Sequence, residues 1–210
     1  MAKLYFKFGA MGSSKTAQAL MTRFNYVEKG MSVLLMKPAT DNRDDHYDEE
    51  GNLRTVAKSR MGLQEDAVPV TDDQSIVELY HSLRDDKGEK YDVIICDECQ
   101  FLTPHQVDEM KDLADLEDVP VLCFGLRSDF MTLMFPGSKR LFEIADSITE
   151  IKSVCSCGRK ATINARLDAN GTIVTEGSQV LIGGNDRYVG VCYKCYRRMI
   201  AERDAAAAQG

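Results

Sequence analysis

A short apolar run that passes directly into a glycine-rich turn constrains this chain more than any other feature of its sequence. Leu4–Phe8 has the composition of a short strand, and residues 9–16 continue it as Gly-Ala-Met-Gly-Ser-Ser-Lys-Thr. This is close to the phosphate-binding pattern G-x-x-x-x-G-K-[ST], which joins a strand to a helix. In such a loop the backbone N–H groups and the helix N-terminus converge on phosphate oxygens. The predicted nucleotide-binding residues are therefore Gly9, Ala10, Met11, Gly12, Ser13, Ser14, Lys15 and Thr16.

The last residues of this loop carry distinct expectations. Lys15 is predicted to reach the outer phosphates, and the Thr16 hydroxyl is predicted to hold Mg²⁺. Ser14 stands where the pattern has its second glycine. This departure has a cost, because serine adopts a left-handed backbone conformation less readily than glycine does. The alternative to a nucleotide-binding loop is a strand-to-helix turn of small residues that binds nothing.

Strand-like and helix-like segments alternate through residues 1–152, which predicts a parallel α/β sheet. The predicted strands are 4–8, 32–36, 68–70, 91–96 and 120–125, and the predicted helices are 17–28, 75–83, 103–116 and 138–145. Residues 147–152 close this part of the chain. Residues 41–62 are polar and aperiodic, and they are predicted to form a loop that is either mobile at the site or simply solvated. Arg54, Lys58 and Arg60 leave a phosphate-facing role open for that loop.

Composition bounds the function. The 210 residues carry a net charge of −7 and are 44% hydrophobic, as expected of a globular protein. The acidic balance argues against nucleic acid as the main partner. No apolar stretch approaches the ~20 residues that span a bilayer, and the N-terminus lacks a secretory signal pattern. We therefore expect a cytoplasmic protein without a membrane partner.

A pair of carboxylates follows the strand predicted at 91–96. In phosphate-loop proteins a carboxylate at the end of a strand orders Mg²⁺, and Asp97 fits that role. Glu98 points to the other side of the chain and is available as a general base that removes a proton from an attacking group. Two exposed acids at a strand end are the alternative.

The chain has seven cysteines, and the last four form two close pairs. Cys155 and Cys157, with Cys192 and Cys195, predict a tetrahedral four-thiolate zinc site with no open position for catalysis. The single residue between the first two is fewer than usual, although Gly158 permits a tight turn there. Between the pairs, Asn170-Gly171 predicts a β-hairpin formed by 163–167 and 172–175. Four reduced core cysteines are the alternative, while Cys96 and Cys123 are predicted to be core thiols.

The order of these features resembles the zinc-containing class of thymidine kinases, which occurs widely in bacteria and in animal cytosol. The resemblance extends over residues 3–199 and is carried most specifically by 9–16, 97–101, 125–130 and 182–188 with the last cysteine pair. It implies a RecA-like phosphate-loop α/β domain at 1–152 and a small zinc-binding β domain with a lasso loop at 153–200. The remaining residues, 201–210, are Ala-rich and polar, which predicts a fraying helix end or a flexible, disordered tail.

The same resemblance implies an activity: transfer of the γ-phosphate of ATP to the 5′-hydroxyl of thymidine, in nucleoside salvage, with Glu98 as the base. It places Arg60, Cys99 and Gln100 with Asp97 near the phosphates. It places Phe101, Leu126, Phe130, Phe135 and Tyr188 around the nucleoside, and the backbone of Gln179, Val180, Leu181, Ile182 and Gly183 on the thymine edge. It further implies a homotetramer and feedback by dTTP.

Two other classes share some of these features. A nucleic-acid motor or recombinase-like ATPase also places Asp-Glu after an apolar strand, but the chain lacks a basic footprint and room for a second lobe. A zinc-stapled nucleotide sensor would bind ATP without transfer. Cys99, beside Glu98, is either oxidation-sensitive or a quiet thiol.

Overall fold

The computed structural model describes residues 1–88, 90–179 and 188–208. Its centre is a six-stranded, wholly parallel sheet. The strands are β1 Leu4–Phe8, β2 Val33–Pro38, β7 Val68–Val70, β8 Val93–Cys96, β9 Val121–Gly125 and β10 Ser147–Glu150. From one edge of the sheet to the other their order is β10-β1-β9-β8-β2-β7. Five of them lie where the sequence predicts strands, and β10 lies within the segment 147–152 that closes this part of the chain, so the parallel α/β sheet is confirmed.

Helices cover both faces of the sheet. They are α1 Lys15–Val27, α2 Ile76–Lys87, α3 Pro104–Leu116 and α4 Pro136–Ile144. The side chains of α2, α3 and α4 pack with one face of the sheet, and α1 packs on the other face. The residues at the start of α3 explain why the helix begins there. Thr103 and Gln106 form a capping box, and Pro104 occupies the first helical position, where it loses no hydrogen bond.

The stretch 41–62 differs from its prediction as a loop. It contains a small hairpin of β3 His46–Tyr47 and β4 Leu53–Arg54, and it leads into a second hairpin of β5 Val56–Lys58 and β6 Gln64–Asp66. The strands are only two or three residues long, which is too short for an alternating pattern to show in the sequence. Val56 and Ala57 are buried, and Ala57 packs with α1 and the sheet.

After the sheet the chain forms a separate cluster of short elements, here called the C-terminal unit. It comprises β11 Ser153–Val154, β12 Lys160–Ala161, β13 Ile163–Leu167, β14 Ile173–Val174, β15 Tyr188–Val191 and α5 Tyr193–Ala207. The predicted hairpin is present as β13 and β14. Residues from Ala201, for which the sequence leaves helix end and disorder open, are helical to Ala207. The boundary at residue 152 stays a prediction. None of the described helices is long and apolar enough to cross a membrane.

Candidate phosphate-binding cleft and four-cysteine centre

The turn between β1 and α1 has the backbone geometry that its glycine pattern predicts. Gly12 has φ 77° and Ser14 has φ 60°, so both adopt the left-handed conformation. Ser14 therefore accepts the strained position that the pattern normally gives to glycine. Gly9 is required for a different reason: a Cβ there would lie 2.5 Å from the carbonyl oxygen of Ile151. The backbone at Ile151 therefore leaves no room for a side chain at the first position of the loop.

Lys15, the first residue of α1, is buried under this loop. Its Nζ donates to the carbonyl of Ala10 at 3.1 Å and lies 3.5 Å from Ser13 Oγ. Burial lowers the pKa of Lys15, while the charges of Glu98 and Asp97 oppose that shift. The Lys15 amine therefore lies between the loop and the carboxylate pair, where it could contact the phosphates of a bound nucleotide.

Asp97 is a buried carboxylate with an unused oxygen. Its side chain accepts a hydrogen bond from Thr16, but Oδ1 has no hydrogen-bond partner in the described part of the chain. Burial, followed by the charge of Glu98, raises the pKa of Asp97 to about 7. An orphaned carboxylate oxygen beside a Thr hydroxyl is the donor set that Mg²⁺ prefers, so these residues fit the predicted ion.

Glu98 is held on both carboxylate oxygens. Arg43 Nη2 donates to Oε1 at 2.8 Å, and Gln100 Nε2 donates to Oε2 at 2.6 Å. Gln100 is itself fixed, because its Oε1 accepts the backbone N–H of Leu126 at 2.9 Å. The Glu98 backbone is left-handed, with φ 50°, which turns the chain sharply after Asp97. The carboxylate therefore has one defined orientation beside the phosphate loop.

Arg43 is a site residue that the sequence reasoning missed. Its guanidinium also pairs with Asp41, and Asp41 lies 3.2 Å from the ammonium of the fully buried Lys37. These charges raise the pKa of Arg43, and Arg43 and Lys37 lower the pKa of Asp41. A lysine inside an apolar strand was the available signal, since a buried lysine needs an anionic partner nearby.

One cleft collects these groups. It is lined by the phosphate loop together with Arg43, Glu98 and three residues of the second hairpin region, Lys58, Ser59 and Arg60. The predicted Arg60 is thus at the cleft, where its side chain is exposed. Cys99, also predicted near the phosphates, is fully buried, and burial raises the pKa of its thiol well above the ordinary value. A quiet thiol fits this environment better than a reactive one.

The predicted nucleoside residues lie partly together. The rings of Phe101 and Phe135 meet edge to face, with their centroids 5.7 Å apart. Leu126 is the first residue after β9. Phe130 is fully buried, with Arg166 stacked 5.0 Å from its ring centroid. Gln179 Nε2 donates to Asp129 Oδ2 at 2.9 Å, which holds Gln179 against the loop after β9.

The other nucleoside predictions fall at and before the last strand. Tyr188 begins β15, where it pairs with Arg166 of β13. Val180, Leu181, Ile182 and Gly183 lie outside the described residues. Their predicted contacts with the thymine edge remain predictions.

The four predicted metal ligands meet in space. The sulfur atoms of Cys155, Cys157, Cys192 and Cys195 lie within 4.8 Å of one another. The sulfurs of Cys157 and Cys192 are 3.6 Å apart, close to the spacing of about 3.8 Å that a tetrahedral Zn–S bond length of 2.3 Å requires. Gly158, with φ 82°, closes the predicted tight turn onto the carbonyl of Cys155. The cluster is compatible with a structural zinc site.

The electrostatics of this cluster favour a thiolate at Cys155 and Cys192 but not at Cys195, where hydrogen bonds with Cys157 and Cys192 raise the pKa to about 12. Backbone N–H groups of Cys157 and Cys192 lower the pKa of Cys155 to about 6. Cys192 also caps α5, because its sulfur accepts the N–H of Cys195. Metal binding requires deprotonated thiols, so Cys155 and Cys192 are the more readily ionised ligands, and Cys195 would lose its proton on binding the metal.

Comparison with known proteins gives a consistent result. A sequence model of the family described as "Thymidine kinase" matches residues 2–196. A thymidine kinase of Legionella pneumophila is 43% identical over 198 residues, covering 94% of this chain and 90% of that protein. Those of Vibrio parahaemolyticus and Shewanella oneidensis are 41% and 38% identical, covering 96% and 95% of this chain and 100% and 99% of their own lengths.

We predict that Asp97→Asn stabilises the protein more at high pH than at low pH. The pKa of Asp97 rises from an ordinary 3.8 to about 7 in the fold. The folded state therefore gains from its bound proton below pH 4 and loses that stability as pH rises through 7. Thermal unfolding without nucleotide or Mg²⁺ should show Asp97→Asn raising Tm at pH 8, with a difference that shrinks toward pH 5. The exposed Asp112→Asn is the control, and a pH-independent difference for Asp97→Asn would contradict the assignment.

We predict that Cys155→Ala abolishes stoichiometric zinc binding, because three thiolates close the tetrahedron poorly. Cys123→Ala is the matched control, since Cys123 is buried in the sheet, away from the cluster. Elemental analysis of the purified variants measures bound zinc per chain. Equal zinc in both variants would show that the cluster is not the binding site.

Proposed function

The chain belongs to the thymidine kinase family, and from this premise we propose that it transfers the γ-phosphate of ATP to the 5′-hydroxyl of thymidine. The observation that carries the proposal is a positioned carboxylate, Glu98, facing the same cleft as a phosphate loop. Family membership supports thymidine as the acceptor. The left-handed turn, Lys15 and the helix N-terminus support a nucleoside triphosphate as the donor.

Glu98 is the proposed general base. Its two oxygens are already oriented by Arg43 and Gln100, so it needs little rearrangement to accept the proton of a nucleoside hydroxyl. Arg43 also pairs with the carboxylates of both Glu98 and Asp41. Since Arg43 lines the cleft itself, we assign it the role of holding Glu98 in place beside the phosphate groups.

The phosphate side of the cleft supplies positive charge. Lys15, Lys58 and Arg60 face it, together with the N-terminus of α1. Phosphoryl transfer depends mainly on positioning and on stabilising charge at the transferred group. Bound Mg²⁺ would neutralise charge on the donor phosphates, and Asp97 and Thr16 are the residues that would hold it.

The remaining parts of the proposal concern recognition and assembly. We propose that residues 179–183 and Tyr188 recognise the nucleoside with Phe101, Leu126 and Phe130, and that zinc occupies the four-cysteine centre. A salvage role, cytoplasmic location, feedback by dTTP and a homotetramer follow from the family resemblance and stay proposals. The nucleic-acid motor and the non-catalytic sensor are disfavoured by the family match.

We predict that Glu98→Gln lowers kcat for thymidine phosphorylation by about 10²–10⁴-fold, the contribution typical of a general base. Glutamine keeps the shape but cannot accept the proton. Affinity for ADP should stay near that of the unmodified protein, because the phosphate loop is untouched. Glu202→Gln, an exposed change on α5, is the matched control. An unchanged kcat for Glu98→Gln would remove Glu98 from the proposed mechanism.

A further inference from the structure

Asn164 joins the C-terminal unit to the phosphate loop. The residue lies in β13 and is 3% exposed. Its Oδ1 accepts the backbone N–H of Met11 at 2.8 Å, and its Nδ2 donates to the carbonyl of Ser128 at 2.7 Å. Both ends of one amide are therefore used on backbone groups from two loops, one after β1 and one after β9.

The strand beside Asn164 holds the same loop residue from its other side. Gly190 of β15 is the direct cross-strand partner of Asn164. A Cβ at position 190 would lie 2.6 Å from the carbonyl oxygen of Met11. Because that oxygen belongs to the backbone, it cannot move without moving the loop. One cross-strand pair thus contacts both the N–H and the carbonyl of Met11.

Apolar packing adds a third contact. Ala10 of the phosphate loop is a member of the buried cluster that contains Cys155, Ile163 and Tyr196 of the C-terminal unit. The first half of the loop therefore rests on that unit's core. The second half carries the left-handed Gly12 and Ser14. A non-glycine residue in that conformation persists only where its surroundings hold it.

We propose that Asn164 is a positioning residue of the phosphate loop, fixing the peptide plane of Met11 so that the following residues adopt their nucleotide-binding turn. The Met11 N–H is committed to Asn164 and the Ser13 N–H to the carbonyl of Ala10, so a phosphate would be met by the other N–H groups of the loop and by the N-terminus of α1. This proposal rests on the proposed function, in that the loop's ligand is a nucleotide. A purely structural Asn164 would instead stabilise the C-terminal unit without affecting nucleotide affinity.

The decisive variant is Asn164→Leu, which keeps the branching at Cγ and the number of side-chain heavy atoms and removes both hydrogen bonds. Asn170→Leu is the matched control, in an exposed turn of the same unit. Three quantities are measured: the Kd for ADP without nucleoside, amide hydrogen exchange across the chain, and bound zinc. We expect Asn164→Leu to weaken ADP binding about tenfold, the effect of losing one well-placed hydrogen bond. Exchange should accelerate in residues 9–14 and stay slow in 163–167.

Unchanged ADP affinity with zinc retained would overturn the proposal, and so would faster exchange confined to 163–167. If Asn164→Leu loses its zinc, Gly190→Ala decides, since it displaces the Met11 carbonyl while keeping the Asn164 amide. That variant should also weaken ADP binding, and unchanged ADP affinity in it would overturn the proposal. The ADP measurements do not depend on the proposed reaction. If the unmodified protein bound ADP but did not phosphorylate thymidine, the proposed function would be contradicted and the role of Asn164 would not.

Discussion

The rest of the site depends on two neighbouring carboxylates at the end of β8, because their negative charges need partners. Asp97 is almost completely buried and Glu98 is largely so. Buried charges are tolerated only with partners, because removing them from water is costly. The structure provides Lys15 and Thr16 near Asp97, with Arg43 and Gln100 on Glu98. One oxygen, Asp97 Oδ1, has no hydrogen-bond partner among the described residues, and it is there that we propose Mg²⁺ binds.

The parallel sheet explains how these partners arrive together. The carboxyl ends of parallel strands lie at one edge, where ligands bind in open α/β sheets. The phosphate loop follows β1, Arg43 follows β2, the carboxylates follow β8, and Leu126 follows β9. The C-terminal unit then closes on the same edge through Asn164 and Gly190. The apolar core of this unit is small, and a metal bound by the four cysteines would stabilise it.

Much of this could be predicted from local sequence. The strand-like runs predict five of the six strands of the sheet, the Thr103 capping box predicts the start of α3, and Gly158 predicts the turn in the cysteine cluster. The edge strand β10, Ser-Ile-Thr-Glu, is too polar for such a signal. These signals depend on residues a few positions apart. The contacts of Arg43 with Glu98 and of Asn164 with Met11 span 55 and 153 residues. No local pattern encodes such pairs, so they emerge only from the fold. The hairpins after β2 were missed because strands of two or three residues carry no period.

The central claim is that the cleft joins a phosphate donor to a nucleoside hydroxyl. It is tested most directly by incubating the unmodified protein with thymidine, Mg²⁺ and ATP labelled at the γ-phosphate, and identifying the labelled products. The account predicts that the label appears in thymidine 5′-monophosphate, with ADP formed in equal amount and only in the presence of nucleoside. Label released as inorganic phosphate, with release stimulated by DNA and indifferent to thymidine, would contradict it.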